Sequence, residues 1–268
     1  MKTLTTGLIA TALVLSACGA GEPGTMPDTT QPDDVILTVS DEGGFAPVEM
    51  LLGRHPRYVL QADGRLYTPG AVPAIYPGPM LTPIFVGTVD DETMTQIMAL
   101  VREAGLPDID RVDDTTATNH VADATTTVIT YFDGTAEHTL SVYALGIASD
   151  ESATAQAAAN LVRALDVAVA GRSDATEYQP TKVEIRTGDR MTLPDAEFRN
   201  TKPWPLAVSP AEMPEAAHGW RCVVVEGPPA TDLLDVFTDA NSATVWEYEG
   251  TEHALIARGL TPGEPGCA

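Results

Sequence analysis

The chain has 268 residues and carries 38 acidic against 15 basic side chains, a net charge of −23. A field of that sign repels phosphate, so nucleic acid and anionic lipid surfaces are poor partners. The acids are spread along the whole chain, which favours solubility or salt adaptation over cation binding or a basic partner.

The amino terminus reads as an address. Lys2 precedes an apolar run from Gly7 to Leu15, which is about half of the ~20 residues needed to span a hydrocarbon core. The run ends at Leu15-Ser16-Ala17-Cys18, which resembles the lipobox of bacterial lipoproteins. The resemblance implies a signal peptide over 1–17 and acylation of Cys18, such as palmitate, as the first residue of the mature chain. Residues 19–34 follow with many Gly and Pro and no apolar period, and read as a flexible tether. Sixteen residues of coil average ~20 to 25 Å end to end. The expected location is the extracytoplasmic face of the cell membrane, with the lipid on Cys18 as the membrane contact.

Residues 35–268 form the expected folded part, with a subdivision allowed near 172–182. Val35-Ile36-Leu37-Thr38-Val39 reads as a first strand. Two apolar runs flank Asp63-Gly64, a dipeptide that tolerates positive φ, and predict a hairpin. Pro69 to Pro83 holds five prolines and reads as an ordered loop. A helix begins at Asp90-Asp91-Glu92, carries Met94, Ile97, Met98 and Val101 on one face, and stops at Gly105. A second hairpin turns at Asp133-Gly134. A second helix, capped by Ser149, repeats Ala155, Ala158, Val162, Leu165 and Val169 and stops before Gly171.

Val183-Glu184-Ile185-Arg186 predicts a strand, and 189–220 reads as irregular. The last unit contains a strand over 222–226, a helix over 231–240 and a third hairpin over 244–258 turning at Glu249-Gly250. The sum is an α+β fold, an antiparallel sheet of hairpins with helices on one face, in units that can be read as quasi-repeats. Cys222 and Cys267 remain as an even pair, and in an oxidising compartment they most simply form a disulfide. The rival, a Zn site, would need clustered histidines, which this sequence does not supply.

Several patterns carry a family resemblance. They are Tyr58-Val59-Leu60 with Asp63-Gly64-Arg65, Val121-Ala122-Asp123-Ala124 before three threonines, 138–146, Trp204-Pro205-Leu206, Arg221-Cys222 and the closing 262–267. With them the mature chain resembles a group of uncharacterised extracytoplasmic lipoproteins of actinobacterial type. The resemblance implies no activity. One departure stands out, because the group tends to read Arg-Pro-Leu-Leu-Pro where this chain has Arg258-Gly259-Leu260-Thr261-Pro262.

The usual local signatures of covalent catalysis, G-x-S-x-G and S-x-x-K, do not occur. His138 and His253 each follow a Glu just after a turn and read as strand residues. The richest polar cluster is 108–114, where Asp108, Asp110, Asp113 and Asp114 supply oxygen ligands of the kind Ca²⁺ takes, though without the Gly and distal Glu of an EF-hand. His120 and Asp123 follow, as a candidate polar site for an extracytoplasmic hydrolase. The structural reading of Asp123 is a side chain that bonds nearby backbone N–H groups and fixes the start of the second hairpin. Trp204 and Trp220 read as residues packed beneath a loop and beside the cysteine pair. Three functions follow as expectations: a non-catalytic binding or envelope-supporting domain, a hydrolase around His120 and Asp123, and a Ca²⁺-dependent module on the aspartate loop.

Overall fold

A computed structural model describes residues 35–119, 121–147, 152–188 and 191–267. The strands are β1 (Val35–Gly43), β2 (Tyr58–Gln61), β3 (Arg65–Pro69), β4 (Ile84–Thr88), β5 (Arg111–Asp114), β6 (Thr125–Phe132), β7 (Glu137–Tyr143), β8 (Thr176–Glu177), β9 (Lys182–Thr187), β10 (Asn200–Pro203), β11 (Arg221–Glu226), β12 (Thr244–Tyr248), β13 (Thr251–His253) and β14 (Ile256–Gly259). Four helices accompany them: α1 (Val48–Leu52), α2 (Asp91–Glu103), α3 (Ala153–Gly171) and α4 (Pro228–Thr238). The expected α+β class is present, with antiparallel-rich sheets.

Eight strands build the large sheet in the order β5-β7-β6-β1-β2-β3-β4-β8. Alternation along β1 and β2 turns Leu37, Val39, Tyr58 and Leu60 to one face, where they meet Ile97 and Val101 of α2 and Ala158, Leu161 and Leu165 of α3. Burial of this surface is the main stabilising term for the first half of the chain. Both helices have good starts. The Asp90 side chain accepts from Thr93 N at 2.7 Å, and Ser152 Oγ accepts from Ala155 N at 2.9 Å. Ser152 therefore serves as the cap of α3, while Ser149, the expected one, lies outside the described residues.

The carboxy-terminal half makes two smaller sheets, β11-β9-β14 and β10-β12-β13. Val183 and Ile185 on one face of β9 pack with Leu233 and Phe237 of α4 and with Trp246 of β12. The predicted third hairpin is real over β12 and β13, but β14 leaves it and pairs with β9 instead. Two further expectations change. The acidic loop is in part a strand, since β5 adds parallel to β7 at the sheet edge. The irregular region 189–220 contains β10, paired parallel with β12. The three hairpins have different neighbours in their sheets.

Candidate functional site: the cleft behind the large sheet

The second face of β9 carries charge. Because Val183 and Ile185 point into the core beneath α4, Glu184 and Arg186 point the other way, and both are buried, at 1% and 4% exposure. Glu184 stands opposite Arg258 of β14 in the strand register. Its Oε1 accepts from Arg186 Nε at 2.6 Å and from Arg258 Nε at 3.2 Å, and its Oε2 from Arg258 Nη2 at 3.2 Å and Cys267 N at 2.6 Å. Arg258 Nη1 also donates to Glu264 Oε1 at 2.6 Å and to the Arg54 carbonyl at 3.1 Å. The Glu264 carboxylate in turn accepts from Thr261 N and Oγ1. All four acceptor positions of Glu184 are thus used, which is what a buried carboxylate needs to stay charged.

The electrostatics follow from these bonds. Burial pushes the Glu184 carboxyl up, but Arg186 and Arg258 outweigh it and bring it down to about 2. Burial lowers Arg258, and Glu264 and Glu184 more than restore it. His55, between α1 and β2, is pushed down to about 4, first by burial, with Glu264 opposing and Arg258 assisting. It is therefore neutral at pH 7, and its Nδ1 is buried without a hydrogen-bond partner.

Two hollows flank the Arg258–Glu264 pair. The larger, of about 660 Å³, lies between the rear face of the large sheet, with Thr38 and Thr130, and the carboxy-terminal half, with Arg186, Arg258 and Glu264. Thr38 and Thr130 are direct cross-strand partners on β1 and β6. The smaller, of about 270 Å³, has His55, Arg54 and Glu42 in its wall. Chain segment 262–266 forms one side of the larger hollow and is held by the Cys222–Cys267 disulfide. The expected pairing of those cysteines is thus present. A Cβ at Gly259 would sit 2.3 Å from Pro180 Cγ, so the close approach of these two segments needs glycine there.

Of the other residues singled out in the sequence, Cys18 and His120 fall outside the described residues. Asp123 is exposed, with a left-handed φ of 57°. The same turn is fastened by Tyr143, whose hydroxyl donates to the Val121 carbonyl and accepts from Ala124 N, both at 3.1 Å. The aspartates of the Ca²⁺ expectation do not converge. Asp108 closes a short 3-10 turn, Asp113 pairs with Arg111 at 3.6 Å, and Asp114 accepts from Ser152 Oγ and Thr116. Among the described residues the one group of three or more possible ligands within 4.8 Å is Glu184, Cys222 and Cys267, whose sulfurs are already joined.

His138, read as a strand residue, does lie in β7. It is buried, its Nδ1 lies 2.5 Å from the Ile109 carbonyl and its Nε2 3.2 Å from Asp133 Oδ2. Those acceptors raise its pKa, the Ile109 carbonyl most and Asp133 next. His253 packs edge to face with Trp204, which donates its indole N–H to the Val208 carbonyl at 2.7 Å. Trp220 is buried beside Cys222, as expected.

The cleft was missed because its parts are far apart in sequence. Its one local signal is the alternation Val183-Glu184-Ile185-Arg186, which gives a strand with a polar face. That this face is buried depends on a second sheet lying over it. No family model, no curated protein and no solved structure matches this chain.

Proposed function

We propose that the protein is a lipid-anchored binding domain on the extracytoplasmic face of the membrane, held by Cys18, with the cleft behind the large sheet as its ligand site. The observation that carries the ligand site is the pair of hollows on either side of Arg258 and Glu264, with the free Nδ1 of His55 buried beside the smaller one. The larger has the volume of a small-molecule site and lies between two separately built sheets, where such sites concentrate. Arg258 in its wall is held charged by Glu264 beside it and by Glu184 behind it, which suits recognition better than proton transfer. Lining groups of both signs, with threonine hydroxyls between them, favour a ligand that itself carries both signs, such as an amino acid or a short peptide.

The test is to isolate the full chain from the envelope fraction, denature it and identify released small molecules by mass spectrometry. A zwitterionic compound is expected from the wild type, and at least tenfold less from Thr130→Trp, whose indole would fill the cleft. A wild type that releases nothing, or a variant that releases as much, would count against the site. Intact mass of the same sample checks the acylation of Cys18 separately.

A further inference from the structure

Among the described residues, one end of the large sheet carries apolar side chains that are left exposed. β1 ends at Gly43, and the next residues, Gly44-Phe45-Ala46-Pro47-Val48, hold no charge in a chain of net charge −23. Phe45 is 91% exposed, Met50 64% and Val48 44%. The register places a second turn beside them: Gly43 pairs with Thr125, Thr126 pairs with Tyr143, and Ile147, just after β7, is 63% exposed. The tip is fixed at its base. Phe45 N donates to the Asp123 carbonyl at 3.2 Å and Arg54 Nη1 to the Gly43 carbonyl at 3.0 Å. Gly44, with a φ of +85°, leaves no room for a Cβ, which would stand 2.9 Å from Thr125 Cγ2.

We propose that this end of the sheet, led by Phe45, inserts into the bilayer that holds the lipid on Cys18. The inference rests on the acylation of Cys18 proposed above. Protruding, rigidly held side chains need a partner pocket if the occupant is a protein, whereas acyl chains accept any shape. The tether permits the contact. β1 is ~30 Å long from Val35 to the tip, at about 3.4 Å per residue. The sixteen residues before it reach ~55 Å when extended. The domain can therefore turn its far end to the same leaflet. The chain's negative charge makes the surface of choice zwitterionic, with apolar insertion rather than charge as the attraction.

The experiment uses the full acylated chain in phosphatidylcholine vesicles, with and without acyl-brominated lipid, which quenches nearby indoles. Phe45→Trp adds an emitter to the native tryptophans, and its added emission is expected to fall at least twofold with bromine. Val167→Trp is the control, since Val167 is 67% exposed but sits near the α3 terminus whose Arg172 bonds the Leu66 carbonyl, towards the other end of the sheet. Its emission is expected to stay unchanged. An acylated chain with unquenched Trp emission at position 45, or equal quenching at both positions, would overturn the contact while leaving the anchor intact. An intact mass without acyl chains would overturn both.

Discussion

The two halves of the folded chain are held together by different physics. From β1 to α3 the fold rests chiefly on one apolar layer, in which Leu37, Leu60, Ile97, Ile129, Leu161 and Leu165 are almost completely buried between sheet and helices, with a small cluster of Val59, Tyr67 and Ile84 besides. From β9 onward the apolar core beneath α4 is smaller, and it is supplemented by the Glu184, Arg186, Arg258 and Glu264 network and by the Cys222–Cys267 bond. The difference teaches where each half is vulnerable. An apolar layer loses stability in proportion to the volume removed, whereas a buried ion network fails when one partner is taken away and the other is left charged.

The largest effect is expected from Arg258→Ala, which leaves Glu184 and Glu264 without their shared guanidinium. The cost should be about 3–5 kcal/mol, read from urea unfolding. A loss below about 1 kcal/mol would mean that the network contributes little to fastening the carboxy-terminal half. Next is the double variant Cys222→Ser with Cys267→Ser. The bond closes a loop with a sequence separation of 45, for which chain entropy gives up to about 4 kcal/mol. The midpoint of unfolding should drop without a change in the far-ultraviolet circular dichroism of the native state.

Acid should act on the carboxy-terminal half as well. The folded Glu184 pKa is depressed from 4.5 to about 2, so its contribution is fully present above the unfolded value and is lost as pH falls from 4.5 towards about 2. The shift corresponds to about 3 kcal/mol. Glu184→Gln should flatten that part of the stability profile, and an unchanged slope would contradict the assignment. In the apolar half, Ile129→Val, at a fully buried site, should cost only about 0.5–1.5 kcal/mol, with no dependence on pH.

The smallest effect belongs to His138. Its folded pKa is raised above 6.5, so the stabilisation it gives is complete below that value and is lost as pH rises through the folded one. His138→Gln should remove a shallow decline in melting temperature above neutral pH. A wild type whose melting temperature rises over that range would contradict the sign.

Local signals in the sequence carried far in the first half. Asp63-Gly64 and Asp133-Gly134 turn where expected, with Gly64 at φ +87° and Gly134 at φ +94°, and the Asp133 carboxylate binds Thr135 N and Ala136 N. The periodicity of Met94 to Val101 and of Ala155 to Val169 identified α2 and α3 because each helix buries one stripe. Parallel pairings were not legible. β5 and β10 lie in acidic or proline-rich stretches, and only their distant partners make them strands. The same holds for the cleft, whose polar residues at 38, 55, 130, 184, 186, 258 and 264 carry no common motif. The aspartates at 108–114 show the converse. They are close in sequence, but the strand sends Asp113 and Asp114 to opposite faces, where one pairs with Arg111 and the other with Thr116 and Ser152.

The contrast between the halves is tested most directly by amide hydrogen exchange on the native chain before and after reduction of the Cys222–Cys267 bond. Protection should fall first in β9, β11 and β14, while β1, β6 and β7 keep theirs. A reduced protein in which both groups of strands lose protection together would contradict the account.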